Sequence, residues 1–252
     1  MARQKGIIKL EGSMGDVSFY KSKDGYLARE KGGVDGDRIK NDPAFQRTRE
    51  NGSEFGRAGK AGRVLRNAFR ILLQNASDSK VTSRLTKEML RIIKTDTTNV
   101  RGSRVVTMGE LGFLTGFDFN IDGKLSATMY APFESSIDRA AGDLAVNLSE
   151  MIPANSIAYP AGATHVKFVV GAAEIDFTEE TFNFKKVESA PIVLGPQTEA
   201  AQNLMVALTA NSTQNLFLVF GLDFSQEVNG VMYPLKTGAT NPLFIVQVDK
   251  AP

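Results

Sequence analysis

The chain has 252 residues, no cysteine, a single histidine and a net charge of +2, which is enough length for one large core or two small ones. Without cysteine there are no disulfides and no thiolate chemistry, and with one histidine a zinc site of the usual kind is excluded. No apolar run reaches the length of a membrane span, and MARQKGIIKLEGSMGDVSFY lacks the apolar region and cleavage site of a secretory signal, so a cytoplasmic location, or one inside an assembled particle, is expected.

In chain order, Gly6–Glu11 reads as a short extended stretch with a turn over Gly12–Asp16. Val17–Lys21 and Tyr26–Glu30 follow as a hairpin turning at Asp24-Gly25. A lone hairpin is marginal in water, so this ribbon is expected to join another sheet, its own or a neighbour's. Lys31–Lys40 reads as a loop.

A helix then runs over 43–75, opened by Asp42 as N-cap and Pro43 at the first helical position, with a bend expected near Asn51-Gly52. Gly52, Gly56, Gly59 and Gly62 recur every three or four residues and so share one stripe. Each costs roughly 1 kcal/mol relative to Ala in a helix interior. Close approach of another backbone is the usual gain that offsets such a loss. Arg57, Lys60, Arg63 and Arg66 form a basic ridge along the same segment, expected to face an acidic surface. Phe45 and Phe55 are apolar positions in the sparsely apolar first half, whereas Val64, Leu65, Phe69, Leu72 and Leu73 crowd the second. The pattern predicts a helix whose C-terminal half docks in a core and whose N-terminal half meets a partner. A second helix, from Ser77 or Asp78 to Lys94, carries Val81, Leu85, Met89, Ile92 and Ile93 as its stripe and completes a helical hairpin. Thr95–Gly116 has no clear period.

From Phe117 the period becomes two. Phe117–Ile121 and Leu125–Tyr130 read as a hairpin about Asp122-Gly123. Leu144–Leu148, His165–Val170, Glu174–Phe177, Ile192–Leu194, Leu204–Leu208, Leu216–Phe224, Val231–Leu235 and Phe244–Val248 follow as strands, with Asn229-Gly230 the clearest turn. The expected fold is α+β: an N-terminal β-hairpin and helical hairpin over 1–110, then an antiparallel, Ig-like β-sandwich over 111–252. The small net charge divides along the same line, with 23 Lys+Arg against 13 Asp+Glu in residues 1–110 and 7 against 15 in residues 111–252. Opposite signs in one chain favour head-to-tail contact between copies.

Chemistry is thinly represented. His165 sits in a strand pattern with no partner by spacing, and reads as structural. Asp176, Glu179 and Glu180, and Asp118 with Asp122, read as turn acids without calcium-loop spacing. Gly59-Lys60 lacks the following Ser or Thr and the preceding strand of a phosphate-binding loop. No catalytic residue, metal ligand or cofactor is nominated, and the chain reads as a non-enzyme.

The stretches GDVSFYKSKDGYLAREKGG, DPAFQRTRENGSEFGRAGKAGR, PAGATHVKFVVGAAEIDF and GLDFSQEVNGVMYPL resemble an uncharacterised protein family of Bacteroidota genomes. The resemblance implies a glycine-rich N-terminal segment followed by a β-sandwich, and no activity.

These readings converge on a structural subunit that assembles with itself into a filament, tube, ring or virion-like particle. Gly52, Gly56, Gly59, Gly62, Arg57, Lys60, Arg63, Arg66, Phe45 and Phe55 are the expected interface. One alternative is a nucleic-acid-associated protein using the basic helix 43–75. Another is a carbohydrate- or peptide-binding sandwich exposing Tyr130, Tyr159 and Tyr233.

Overall fold

The computed structural model describes residues 2–30, 32–235 and 240–251. It is α+β and separates into two compact units, Met1–Arg49 and Glu50–Pro252.

The first unit is a four-stranded antiparallel sheet of β1 (Ala2–Arg3), β2 (Gly12–Met14), β3 (Val17–Ser22) and β4 (Gly25–Glu30), in the order β1-β4-β3-β2. The expected hairpin is present. Pairing of Ser22 with Gly25 places its two-residue turn at Lys23-Asp24, and Gly25 follows with φ 104°. The extended stretch expected at Gly6–Glu11 is instead a loop, and the strand falls on the predicted turn residues Gly12–Met14. Register sorts the sheet into two faces. Met14, Val17, Phe19, Tyr26 and Ala28 share one, and Ser13, Ser18, Tyr20, Leu27 and Arg29 the other. Helix α1 (Gly36–Asn41) replaces the expected loop because Asp35 caps it, accepting from the Asp37 N–H at 2.7 Å; Lys31, also assigned to that loop, lies outside the described residues. Asp42 caps and Pro43 opens the segment as read, the Asp42 carboxylate accepting from the Ala44 N–H at 2.9 Å, but what they start is a short 3-10 turn (Pro43–Phe45) and not the α-helix, which begins at Gln46. No described residue from Ala2 to Arg49 is buried.

Helix α2 (Gln46–Ala68) runs unbroken through Asn51-Gly52, where a bend was expected. Glu54, Ala58, Ala61, Val64, Leu65 and Ala68 form a continuous buried face that favours an uninterrupted helix despite the glycines. It ends at Phe69 (φ −98°, ψ 17°) and is followed by α3 (Arg70–Leu73) and α4 (Val81–Ile93). All five predicted stripe residues of α4 are buried.

Between α4 and the sandwich the backbone is irregular. The hairpin expected over Phe117–Tyr130 does not form. Residues 116–119 instead bond to the last strand, with Ile245 N–H donating to Phe117 O at 3.0 Å and Phe119 N–H to Leu243 O at 2.8 Å. Leu125–Thr128 is a single helical turn. Gly123 lies so close to the Thr240 carbonyl that a Cβ there would stand 2.7 Å from it.

The strands are β5 (Phe133–Asp138), β6 (Asp143–Leu148), β7 (His165–Asp176), β8 (Thr181–Glu188), β9 (Ile192–Val193), β10 (Gln202–Ala207), β11 (Asn215–Val228), β12 (Val231–Pro234) and β13 (Leu243–Asp249). One sheet is β10-β6-β5; the larger is β12-β11-β7-β8, with β13 also on β11 and β9 on β7. The β11–β12 turn falls at Asn229-Gly230, both at positive φ (53° and 79°).

Strands β7 and β11 are buried on both faces. Val166, Phe168, Val170, Leu218, Phe220 and Leu222 meet Leu144, Val146, Leu204 and Val206 of the smaller sheet. Val169, Ala173, Ile175, Phe217 and Val219 meet Leu65, Phe69, Leu85 and Ile92 of the helices. The helical hairpin thus shares a core with the sandwich, and the boundary expected near residue 110 does not divide the structure. The break lies at Arg49–Glu50, before the buried face of α2. Double burial also explains why β7 read as two strands. Its middle, Gly171-Ala172-Ala173, is small because Leu72, Val219 and Phe184 crowd Gly171.

Candidate functional site

The predicted interface residues separate into three environments. Gly52, Gly56 and Gly59 face open space, with no atom within 4 Å of the position of an added Cβ. Gly62 faces α4 instead, 3.6 Å from Leu85 by the same measure, so it serves a helix–helix contact within the chain. Phe55, on the side of α2 that carries the open glycines, is 59% exposed. Phe45 lies in the first unit, half-buried, with the Arg38 guanidinium 5.7 Å above its ring.

The basic ridge is largely engaged inside its own chain. Arg57 donates to the carbonyls of Gly102 (2.6 Å) and Arg104 (3.2 Å) and so ties down the 101–104 loop. Beside it the buried Glu54 accepts from the Gly102 N–H at 2.9 Å and lies 3.8 Å from Arg104. Lys60 and Arg63 pair with Glu180 at 3.3 and 2.6 Å, and their hydrogen bonds hold the Glu180 carboxyl below its usual range. The acidic surface expected opposite the ridge is therefore, for these two residues, the β7–β8 turn of the same molecule. Arg66 is half-buried and its Nε has no hydrogen-bond partner.

An open groove of about 800 Å³ borders the first half of α2, lined by Gly52, Phe55, Leu90, Lys94, Arg101 and Arg104 among others. A closer pocket of about 140 Å³ lies where α2 passes the 105–107 segment, walled by Ala61, Val105, Val106 and Phe177. Sequence reasoning missed both, because their walls come from the irregular stretch that has no period to read.

A third cavity, of about 150 Å³, opens beside α3, lined by Leu72, Asn75, Val169, Glu188, Asp223 and Asn241. Burial raises the Asp223 carboxyl and the nearby Glu188 raises it further, while Asn241 Nδ2 donates to it at 2.8 Å. Glu188 is displaced the opposite way by Lys186 (2.5 Å) and Lys167 (3.6 Å). A carboxylate inside an otherwise apolar strand, GLDFS, was the signal for this site. Each carboxylate is already tied to neighbours in its own chain.

His165 is buried, with Nδ1 2.9 Å from Thr164 Oγ1 and Nε2 3.6 Å from Glu227. Asp176 accepts from the N–H groups of Thr178 (2.8 Å) and Glu179 (3.0 Å), as a turn acid does. Gly59-Lys60 lies inside α2 and not in a loop that follows a strand. Tyr130, Tyr159 and Tyr233 are exposed; the first two flank the Met129–Ile157 bridge and the third is on β12. Among the described residues no group of three or more His, Cys, Asp or Glu is placed to hold a metal, and no helix is long and apolar enough to cross a membrane. Compared with protein-family models, with curated proteins and with solved structures, the chain matches none.

Proposed function

We propose that the chain is a non-enzymatic structural subunit that assembles with copies of itself through its N-terminal region, into a filament, tube, ring or virion-like particle. The observation that carries this reading is the first unit. Four strands and a helical turn fold together, yet none of the described residues from Ala2 to Arg49 is buried. A sheet needs a covered apolar face to be stable in water. Met14, Val17, Phe19, Tyr26 and Ala28 supply the apolar part of such a face, with Lys21 and Glu30 beside them on it, and a neighbouring copy is the cover that an assembling subunit has at hand. The open glycines of α2 add weight, since three glycines in a helix interior cost roughly 3 kcal/mol and no atom lies within 4 Å of where their Cβ would stand.

The nucleic-acid reading has less to rest on, because Arg57, Lys60 and Arg63 are occupied by carbonyls and Glu180 of the same chain. The test is light-scattering mass of nuclease-treated protein at low and high salt, with negative-stain images. Large regular particles are expected, and Phe19→Glu is expected to give a folded monomer. Wild-type protein that stays monomeric at every salt concentration overturns the reading.

A further inference from the structure

The first unit also presents a built apolar tip. Gln4 closes the loop between β1 and β2: its Nε2 donates to the carbonyls of Leu10 (3.1 Å) and Leu27 (3.0 Å), and its Oε1 accepts from the Leu10 N–H (2.8 Å). Lys9 Nζ donates to the Gln4 carbonyl at 2.6 Å. On the loop so closed, Ile7 is fully exposed and Ile8 is 79% exposed. Two adjacent branched side chains held out from a cross-braced loop lose little further backbone entropy on being buried, which favours them as a docking element. Lys5 and Lys9 flank them.

The second unit carries a receptor of matching chemistry. The 140 Å³ pocket is walled by Ala61, Val105, Val106 and Phe177, and its two cations, Arg57 and Lys60, are already held by carbonyls and by Glu180. The cavity beside α3 has Asp223 and Glu188 in its wall, and the groove along α4 has Arg84, Lys87, Glu88, Arg91 and Lys124, so neither suits an uncharged aliphatic group. Thr178 also lines the pocket, and the next residue, Glu179, is exposed and carries a charge opposite to that of Lys5 and Lys9.

We infer that the Ile7–Ile8 tip of one copy docks into the Ala61–Val106–Phe177 pocket of another, with Lys5 and Lys9 toward Glu179. The inference rests on the self-assembly reading and names its contact. Tip and pocket are different patches of one chain, so the contact is heterologous and propagates as a filament unless rotation closes it into a ring.

The absence of cysteine makes disulfide trapping unambiguous. Ile8→Cys and Thr107→Cys proteins, purified separately, are mixed and oxidised. A bond forms only where the Cβ atoms come within about 4.5 Å. The expected product is an Ile8→Cys/Thr107→Cys crosslinked dimer, well above the amount given by Ile8→Cys with Tyr159→Cys. Independently, Ile7→Ser/Ile8→Ser is expected to raise the concentration needed for half-assembly at least about tenfold. Wild-type particles with no crosslink above the control, or with assembly indifferent to the two serines, overturn the docking and leave self-assembly standing. A wild-type monomer at every salt concentration overturns both.

Discussion

The two units are both built on antiparallel sheet, yet they manage water in opposite ways. The second fully buries Phe69, Phe119, Phe168, Phe217, Phe220 and Phe224 between a helical layer and two sheets. The first buries none of its described residues up to Arg49, and keeps Phe19, Tyr20 and Tyr26 only half-covered. Lysine and arginine lie over its aromatic rings, with Lys21 5.5 Å from the Tyr26 centroid and Arg29 5.7 Å from that of Tyr20. One unit therefore stands on a large buried core, and the other has a defined backbone with little buried surface of its own.

The sharpest break of this comparison is a matched pair of truncations. Phe69→Ala removes a fully buried ring that packs against Phe119 (6.2 Å) and Phe184 (5.6 Å). It should cost about 3–5 kcal/mol in urea unfolding followed by circular dichroism. Phe19→Ala, measured on dilute unassembled protein, should cost no more than about 1 kcal/mol, because its ring is only half-covered. Equal losses would erase the distinction between the units.

A smaller effect tests how tightly the larger sheet is closed. A Cβ on Gly221 would stand 2.6 Å from the Pro242 carbonyl, which is backbone and has little room to give. Gly221→Ala should destabilise the second unit by about 1–3 kcal/mol in the same assay.

Acid sensitivity should likewise belong to the second unit. Burial acts to raise the Asp96 carboxyl, but the Asn99 side chain and the N–H groups of Val105, Asn99 and Thr98 outweigh it and hold it at about 2. A folded-state value below the unfolded one, near 3.9, means the stabilisation is complete above about pH 4 and is lost as pH falls toward 2. Urea midpoints taken from pH 6 down to pH 2 should fall in that window for wild type and less steeply for Asp96→Asn. Parallel profiles would show that Asp96 is not the group concerned.

The same contrast decided what could be read from the sequence. Strong periods were legible. The α4 stripe is buried at all five predicted positions, and both the β3–β4 hairpin and the Asn229-Gly230 turn form. What failed was a stretch read with a period of two. Residues 117–130 imitate a hairpin, but β13 competes for the same backbone groups and wins. Phe133–Asp138 and Thr181–Glu188 were missed because each alternates around polar residues that leave much of the strand exposed. At the candidate site the glycine period and the basic ridge were visible, whereas their partners were not. Nothing in the spacing of Lys60 and Arg63 announces Glu180, more than a hundred positions away.

The smallest effect is the most discriminating, because it should change sign between one copy and many. Gly52, Gly56 and Gly59 have open space where a Cβ would go, and none has a positive φ. Alanine at each should therefore stabilise the isolated chain by about 0.5–1 kcal/mol, through reduced freedom of the unfolded state and better helix propensity. If these positions exist to let another backbone approach, larger side chains there should weaken assembly while the chain itself becomes no less stable. Gly56→Leu is the severe case: its urea midpoint should match or exceed wild type, and its light-scattering mass should fall to that of a monomer. A Gly56→Leu protein that assembles at wild-type concentrations would leave the stripe without a role in close packing. The coreless N-terminal sheet would then have to account for assembly alone.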